Sequence, residues 1–237
     1  IPNECIETEE PELLLEEEVS FPLVLLLLLS AIQASVPVSL FEIEQLAPGI
    51  AVFGLSFMTL FSAQLVAKDR ESALLQRLYT TPLKASDFIL GYLLPLIPIA
   101  MAQCVLTYCI AVVLGLSLTV TLLYAVLFII PISLFYVSLG LLCGSALSVK
   151  QVGGICGALL TNLSAWLSGV WFDLALVGGV FERIANLLSF VHAVELERAV
   201  LAGNWAALPS HLPWVLGYAV GITLCAVWLF LRQMKRQ

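Results

Sequence analysis

The side chains able to do chemistry are few, and they do not form a catalytic set. His192 and His211 are far apart in sequence and have no Cys or His neighbour at metal-ligand spacing. Cys104, Cys109, Cys143, Cys156 and Cys225 lie in apolar runs and form no C-x-x-C pair, so they read as small packing residues. Cys5 stands alone in an acidic segment. No G-x-x-x-x-G-K-[ST] phosphate loop occurs, so this chain is not expected to hold ATP itself. Catalytic, cofactor-binding and metal-ligating residues are therefore each expected to be none. Two charged patterns remain: the connection Lys68 to Asp87, and Glu195 with Arg198 at i,i+3 spacing, which could pair on one helix face.

The elements that position these charges are membrane helices. The hydrophobic set makes up 61% of the 237 residues and only 11% are charged, too little polar surface to cover a water-soluble domain of this size. The net charge of -7 is lopsided, because eight of the seventeen acids lie between Glu4 and Glu18. The remaining nine face ten Lys and Arg, and no basic block points to nucleic acid. Every backbone polar group must be satisfied internally in a bilayer, so long apolar runs become helices of about 20 residues. Six such spans are expected: Phe21 to Phe41, Leu46 to Ala67, Phe88 to Leu116, Leu122 to Leu147, Gly153 to Val177 and Leu212 to Leu231. The fold class is all-α and polytopic, with residues 21–237 as one six-span domain after an acidic segment, 1–20.

Lys and Arg in short connections set orientation. Lys68, Arg70, Arg77 and Lys84 follow span two, Lys150 follows span four, and Arg232, Lys235 and Arg236 close the chain. An even number of spans puts all of these on one side, the cytoplasm, together with both termini. The charged segment between spans five and six is then external, with short or re-entrant helices before the last span.

The connection after span two is patterned as well as charged. Leu74, Leu75 and Leu78 share a helix face, Arg70, Glu71 and Arg77 take the other sides, and Pro82 ends the helix after Thr80 and Thr81. A short cytoplasmic amphipathic helix fits, either docked on a partner or resting on lipid headgroups.

The stretch Leu46-Ala-Pro-Gly-Ile-Ala-Val-Phe-Gly-Leu55, the Lys68-Asp-Arg-Glu71 core, Leu78-Tyr-Thr-Thr-Pro-Leu83 and Phe88-Ile-Leu-Gly-Tyr92 resemble the permease subunit of ATP-binding-cassette type-2 exporters. The order of spans and the Gly169-Val-Trp-Phe172 entry to the external segment fit the same pattern, from about Phe21 onward. The resemblance implies that the loop is a coupling helix docking into a cleft of a separate ATPase, a role it assigns to Arg70, Glu71, Leu74, Leu75, Arg77 and Leu78. It also implies ATP and Mg on that partner, a second permease subunit as homodimer or heterodimer, and a place in a cell membrane, the bacterial inner membrane. The acidic start departs from the family's basic amphipathic helix and reads as an atypical or fragmentary segment.

Polar residues inside the spans, Gln33, Thr59, Ser62, Gln64, Asn162 and Ser168, are candidates for lining a substrate path, against the alternative that they bond neighbouring helices. Trp166, Trp171, Phe172 and Trp214 either stack on cargo or belong to interfacial belts. An ion-coupled transporter, a channel or a membrane-embedded enzyme would normally place carboxylates or histidines within the spans, and these spans hold almost none.

Overall fold

The structure is a computed structural model that describes residues 11–35, 42–72 and 85–234. Most of these residues are helical, with no strand among them. The long elements are α1 (Pro11–Ser35), α2 (Ile43–Glu71), α3 (Ala85–Val113), α4 (Val120–Ala146) and α10 (Leu208–Met234). Between α4 and α10 lie α5 (Val149–Val152), a π-helical segment (Gly153–Leu160), α6 (Thr161–Leu167), α7 (Leu174–Val177), α8 (Gly179–Leu187), α9 (Ser189–Leu201) and a 3₁₀ turn (Trp205–Ala207).

Among the described residues four helices are long and apolar enough to cross a membrane: Ile43–Glu71, Ile89–Val113, Val120–Ala146 and Trp205–Arg232. A helix of 27 residues is about 40 Å long, enough to cross a hydrocarbon core and reach both headgroup layers. In α1 the apolar stretch Ser20–Gln33 is shorter. The fifth apolar run is helical from Val149 to Leu167, with the wider π turn in its middle.

Packing ranks these helices from centre to rim. Of the four long apolar helices α2 is the most buried and α10 the least. α2 packs on α4, α3, α1 and α9, while α4 also supports α10. On α10 the exposed side chains Leu216, Val220, Leu224, Trp228 and Leu231 follow helical spacing, the stripe expected of a face solvated by lipid. At the α2–α4 seam the small residues Gly140 and Gly144 lie against Ser62 and Ala63, so the backbones approach closely and dispersion replaces the missing hydrophobic drive. Thr59 Oγ1 donates to the Tyr136 carbonyl at 2.9 Å across the same seam.

The helix ends are offset from the sequence reading by a few residues at several places, and two of the differences have a clear local cause. The fifth helix ends at Leu167 rather than continuing to Val177, because Gly169 has φ +71 and takes the chain out of the helix. The last helix begins at Leu208, before the expected Leu212, with Pro209 in its first turn, where the missing N–H costs nothing.

Candidate functional site

Three consecutive residues at the end of α2 reach three different elements. Tyr92 Oη on α3 donates to Asp69 Oδ2 at 2.5 Å. Arg70 donates to the Leu147 carbonyl at 2.5 Å and to the Ser145 carbonyl, both at the C-terminal end of α4. Glu71 Oε1 accepts from the Val149 N–H at 3.0 Å, at the first residue of α5.

This charge order matches what helix ends require. The last carbonyls of a helix carry partial negative charge and lack intrahelical partners, so a guanidinium satisfies them. The first N–H groups of the next helix carry partial positive charge, so a carboxylate satisfies one. Ser148 adds a capping box with Gln151 at the same elbow. The Arg70 and Glu71 side chains are thus turned onto the α4–α5 elbow, at the point where the 73–84 connection leaves α2. Leu74, Leu75, Arg77 and Leu78 lie outside the described residues.

At the opposite end of the bundle, Arg198 on α9 is buried and donates to the Gln45 carbonyl at 3.3 Å, the Gly169 carbonyl at 3.3 Å and Glu195 at 2.9 Å. The expected i,i+3 ion pair of Glu195 and Arg198 is present. Its guanidinium also ties α9 to the first turn of α2 and to the end of the fifth helix. A cleft of about 570 Å³ opens beside it, lined by Glu42, Asp173, Glu182, Glu195, Gln45 and Asn186 among others.

Two arrangements at this end were not visible in the sequence. His192 and His211, read there as lacking a partner, meet Nδ1 to Nδ1 at 3.0 Å. His192 Nε2 lies 2.9 Å from the Asn186 carbonyl, which can only accept, so His192 carries its proton on Nε2 and receives one from His211 when both rings are neutral. Trp214 stacks on His192 with centroids 5.0 Å apart. No group of three metal-ligating side chains is found among the described residues.

The second arrangement is Glu197, fully buried on α9, whose Oε1 accepts from Tyr108 Oη at 2.6 Å while Oε2 has no hydrogen-bond partner among the described residues. Burial pushes its carboxyl up to about 8, and the Tyr108 hydrogen bond opposes that rise. Its neighbours at i−4, i−3 and i+3 are Ala193, Val194 and Val200. That inward apolar face is the signal that would have marked it.

The path candidates do not converge on one site. Thr59 and Ser62 bond across the α2–α4 seam. Ser168 is buried on its own helix, and Gln33 and Gln64 are half-buried. Asn162 alone among them opens into a cleft of about 340 Å³, with Phe21, Phe53, Phe57, Trp166 and Trp171.

Long apolar helices around a tightly packed α2–α4 pair define a multi-pass, all-α membrane protein. Residues 17–202 match the family model for the ABC-2 type transporter, and the chain belongs to that family. It is therefore a permease component of an ATP-binding-cassette transporter, and the family implies partnership with an ATPase subunit. Neither the curated proteins nor the solved structures compared with the chain gave a match.

Proposed function

We propose that this chain is the membrane subunit of an ATP-driven exporter, with its substrate path enclosed by two permease subunits and its coupling loop, residues 68–87, seated on a separate ATPase that holds ATP and Mg. The observation that carries this reading is the family match over 17–202, which includes the loop and the helices on either side of it. The brace at the end of α2 supports it, because a loop that receives a push needs a rigid mounting. Asn162 and the aromatic cleft around it are the part of the chain best suited to contact cargo. A channel, an ion-coupled carrier or a membrane-embedded enzyme has less support, since residues 46–67, 89–113, 120–146 and 208–231 contain no Asp, Glu, Lys or Arg.

In this reading the brace end is cytoplasmic in a bacterial inner membrane. Lys68, Arg70 and Lys150 lie there, while Glu42, Glu44, Asp173, Glu182 and Glu195 lie at the other end. Single cysteines at Gln237 and Gly203 are expected to label from the cytoplasmic and external sides respectively. Labelling of both from one side would end the six-span topology.

The docking role is tested by Leu75→Glu. The spacing of Leu74, Leu75 and Leu78 in the sequence puts them on one helix face, an apolar ridge there would need a cover, and a carboxylate placed in a dry interface costs on the order of several kcal/mol. Recovery of the ATPase by the tagged permease in detergent, where no bilayer surface remains, is expected to fall about tenfold or more. Equal recovery by wild type and variant would remove the coupling role from this helix.

A further inference from the structure

We propose that Arg70 and Glu71 are positioning residues that pass the loop's movement to the helix running from Val149 to Leu167, rather than residues that touch the ATPase. This inference rests on the coupling reading above and assigns it a route through the molecule.

Position makes the first argument. The 73–84 connection emerges directly after α2, and the last three residues of α2 bind α3, the end of α4 and the start of α5 through Asp69, Arg70 and Glu71. Any displacement of the loop that moves the end of α2 must move the α4–α5 elbow with it or break these bonds. The bonds also differ in kind from surface ion pairs. Arg70 binds two carbonyls at a helix C-terminus and Glu71 binds an N–H at a helix N-terminus, so each charge is held by backbone that cannot swing away as a side-chain partner can.

The receiving element makes the second argument. The helix that begins at Val149 carries an eight-residue π segment, Gly153–Leu160, in which the backbone bonds run i→i+5 and the turn is wider than in an α-helix, a geometry found frequently at functional sites. Thr161 Oγ1 donates to the Cys156 carbonyl, five residues back, at 2.9 Å. Beyond the π segment stand Thr161, Asn162, Ala165 and Trp166, which line the aromatic cleft. A contiguous covalent and hydrogen-bonded route therefore runs from the end of α2, through Arg70 and Glu71, along the helix that holds the π segment, to the residues best placed to meet cargo.

The charge signature of the loop acquires a physical reason in this account. Asp, Arg and Glu in that order suit a tyrosine donor, a helix C-terminus and a helix N-terminus in turn. Glu71 is exposed, so its replacement leaves the buried core untouched.

The test uses the complex purified with its own ATPase subunit, in lipid nanodiscs, and hydrogen–deuterium exchange of peptides covering 149–167 with and without ATP plus vanadate. In the wild type, nucleotide trapping is expected to change uptake in these peptides. In Glu71→Ala and Arg70→Ala that change is expected to be lost while the ATPase still co-purifies. Glu71→Gln, which retains an oxygen acceptor for the Val149 N–H, is expected to restore it. Persistence of the full change in both alanine variants would overturn the route through these residues, and loss of ATPase co-purification in Glu71→Ala would overturn it in favour of direct docking. A wild-type complex that binds its ATPase yet shows no nucleotide-dependent change anywhere in the permease would overturn the coupling reading itself.

Discussion

Gly140→Ala is expected to destabilise the detergent-solubilised protein by about 3 kcal/mol or more, a fall of roughly 6–12 °C in Tm, although it adds a single methyl group. A Cβ at Gly140 would fall on the Ser62 hydroxyl and on the carbonyl oxygen of Thr59, closer than real side-chain atoms approach. The hydroxyl is the end of a side chain, but the Thr59 carbonyl is helix backbone and cannot turn aside. α2 and α4 must therefore separate, and that separation also stretches the Thr59–Tyr136 and Ser62–Val137 hydrogen bonds across the seam. Two controls isolate the cause. Gly217→Ala and Gly221→Ala on α10 meet nothing within 4 Å and are expected to stay within about 1 kcal/mol of wild type. Adding Ser62→Ala to Gly140→Ala removes the hydroxyl but not the carbonyl, so the double variant should remain destabilised. Full recovery of Tm in that double variant would show that the hydroxyl alone made the contact.

The seam shows which parts of this fold were legible in sequence. Long apolar runs announce membrane helices because the bilayer imposes one requirement on every residue of a span. The helical centres of α2, α3, α4 and α10 accordingly fall where the apolar runs lie. Helix ends obey local rules instead. Gly169 stops the fifth helix ten residues before its apolar run ends, because a backbone at positive φ outweighs continued hydrophobicity there.

The polar features were less legible because their partners are remote in sequence. Arg70 and Glu71 read as outward-facing charges on an amphipathic helix. Their acceptor and donor, the carbonyls at Ser145 and Leu147 and the N–H of Val149, are backbone groups that no side-chain pattern reveals. The contact of His192 with His211 closes over a connection of several short elements, and its spacing matches no helix or strand period. Glu195 and Arg198 were legible because both lie on one helix within one turn.

Glu197→Gln is expected to abolish most of the pH dependence of stability between about pH 5 and pH 8, and the sign follows from linkage. The carboxyl has an ordinary value of 4.5 when exposed and is pushed up to about 8 in the folded protein. Between these values the folded state keeps a proton that the unfolded state has released, so stability is full below about pH 4.5, declines as pH rises and levels off above about pH 8. A shift of this size corresponds to about 5 kcal/mol at the alkaline limit, an upper figure because a charged carboxylate would draw in water or rearrange. Tm of the wild type in detergent should therefore fall on going from pH 5 to pH 9, whereas the amide, which keeps an acceptor for Tyr108 Oη and cannot ionise, should give a nearly flat profile. Tyr108→Phe supplies the second arm. The tyrosine hydroxyl favours the charged form, so its removal should move the end of the decline to higher pH and leave both carboxyl oxygens without the donor that now serves one of them. A wild-type profile that rises through this range, or that matches the flat profile expected of Glu197→Gln, would show that Glu197 is ionised in the folded protein and that burial on α9 does not govern its proton.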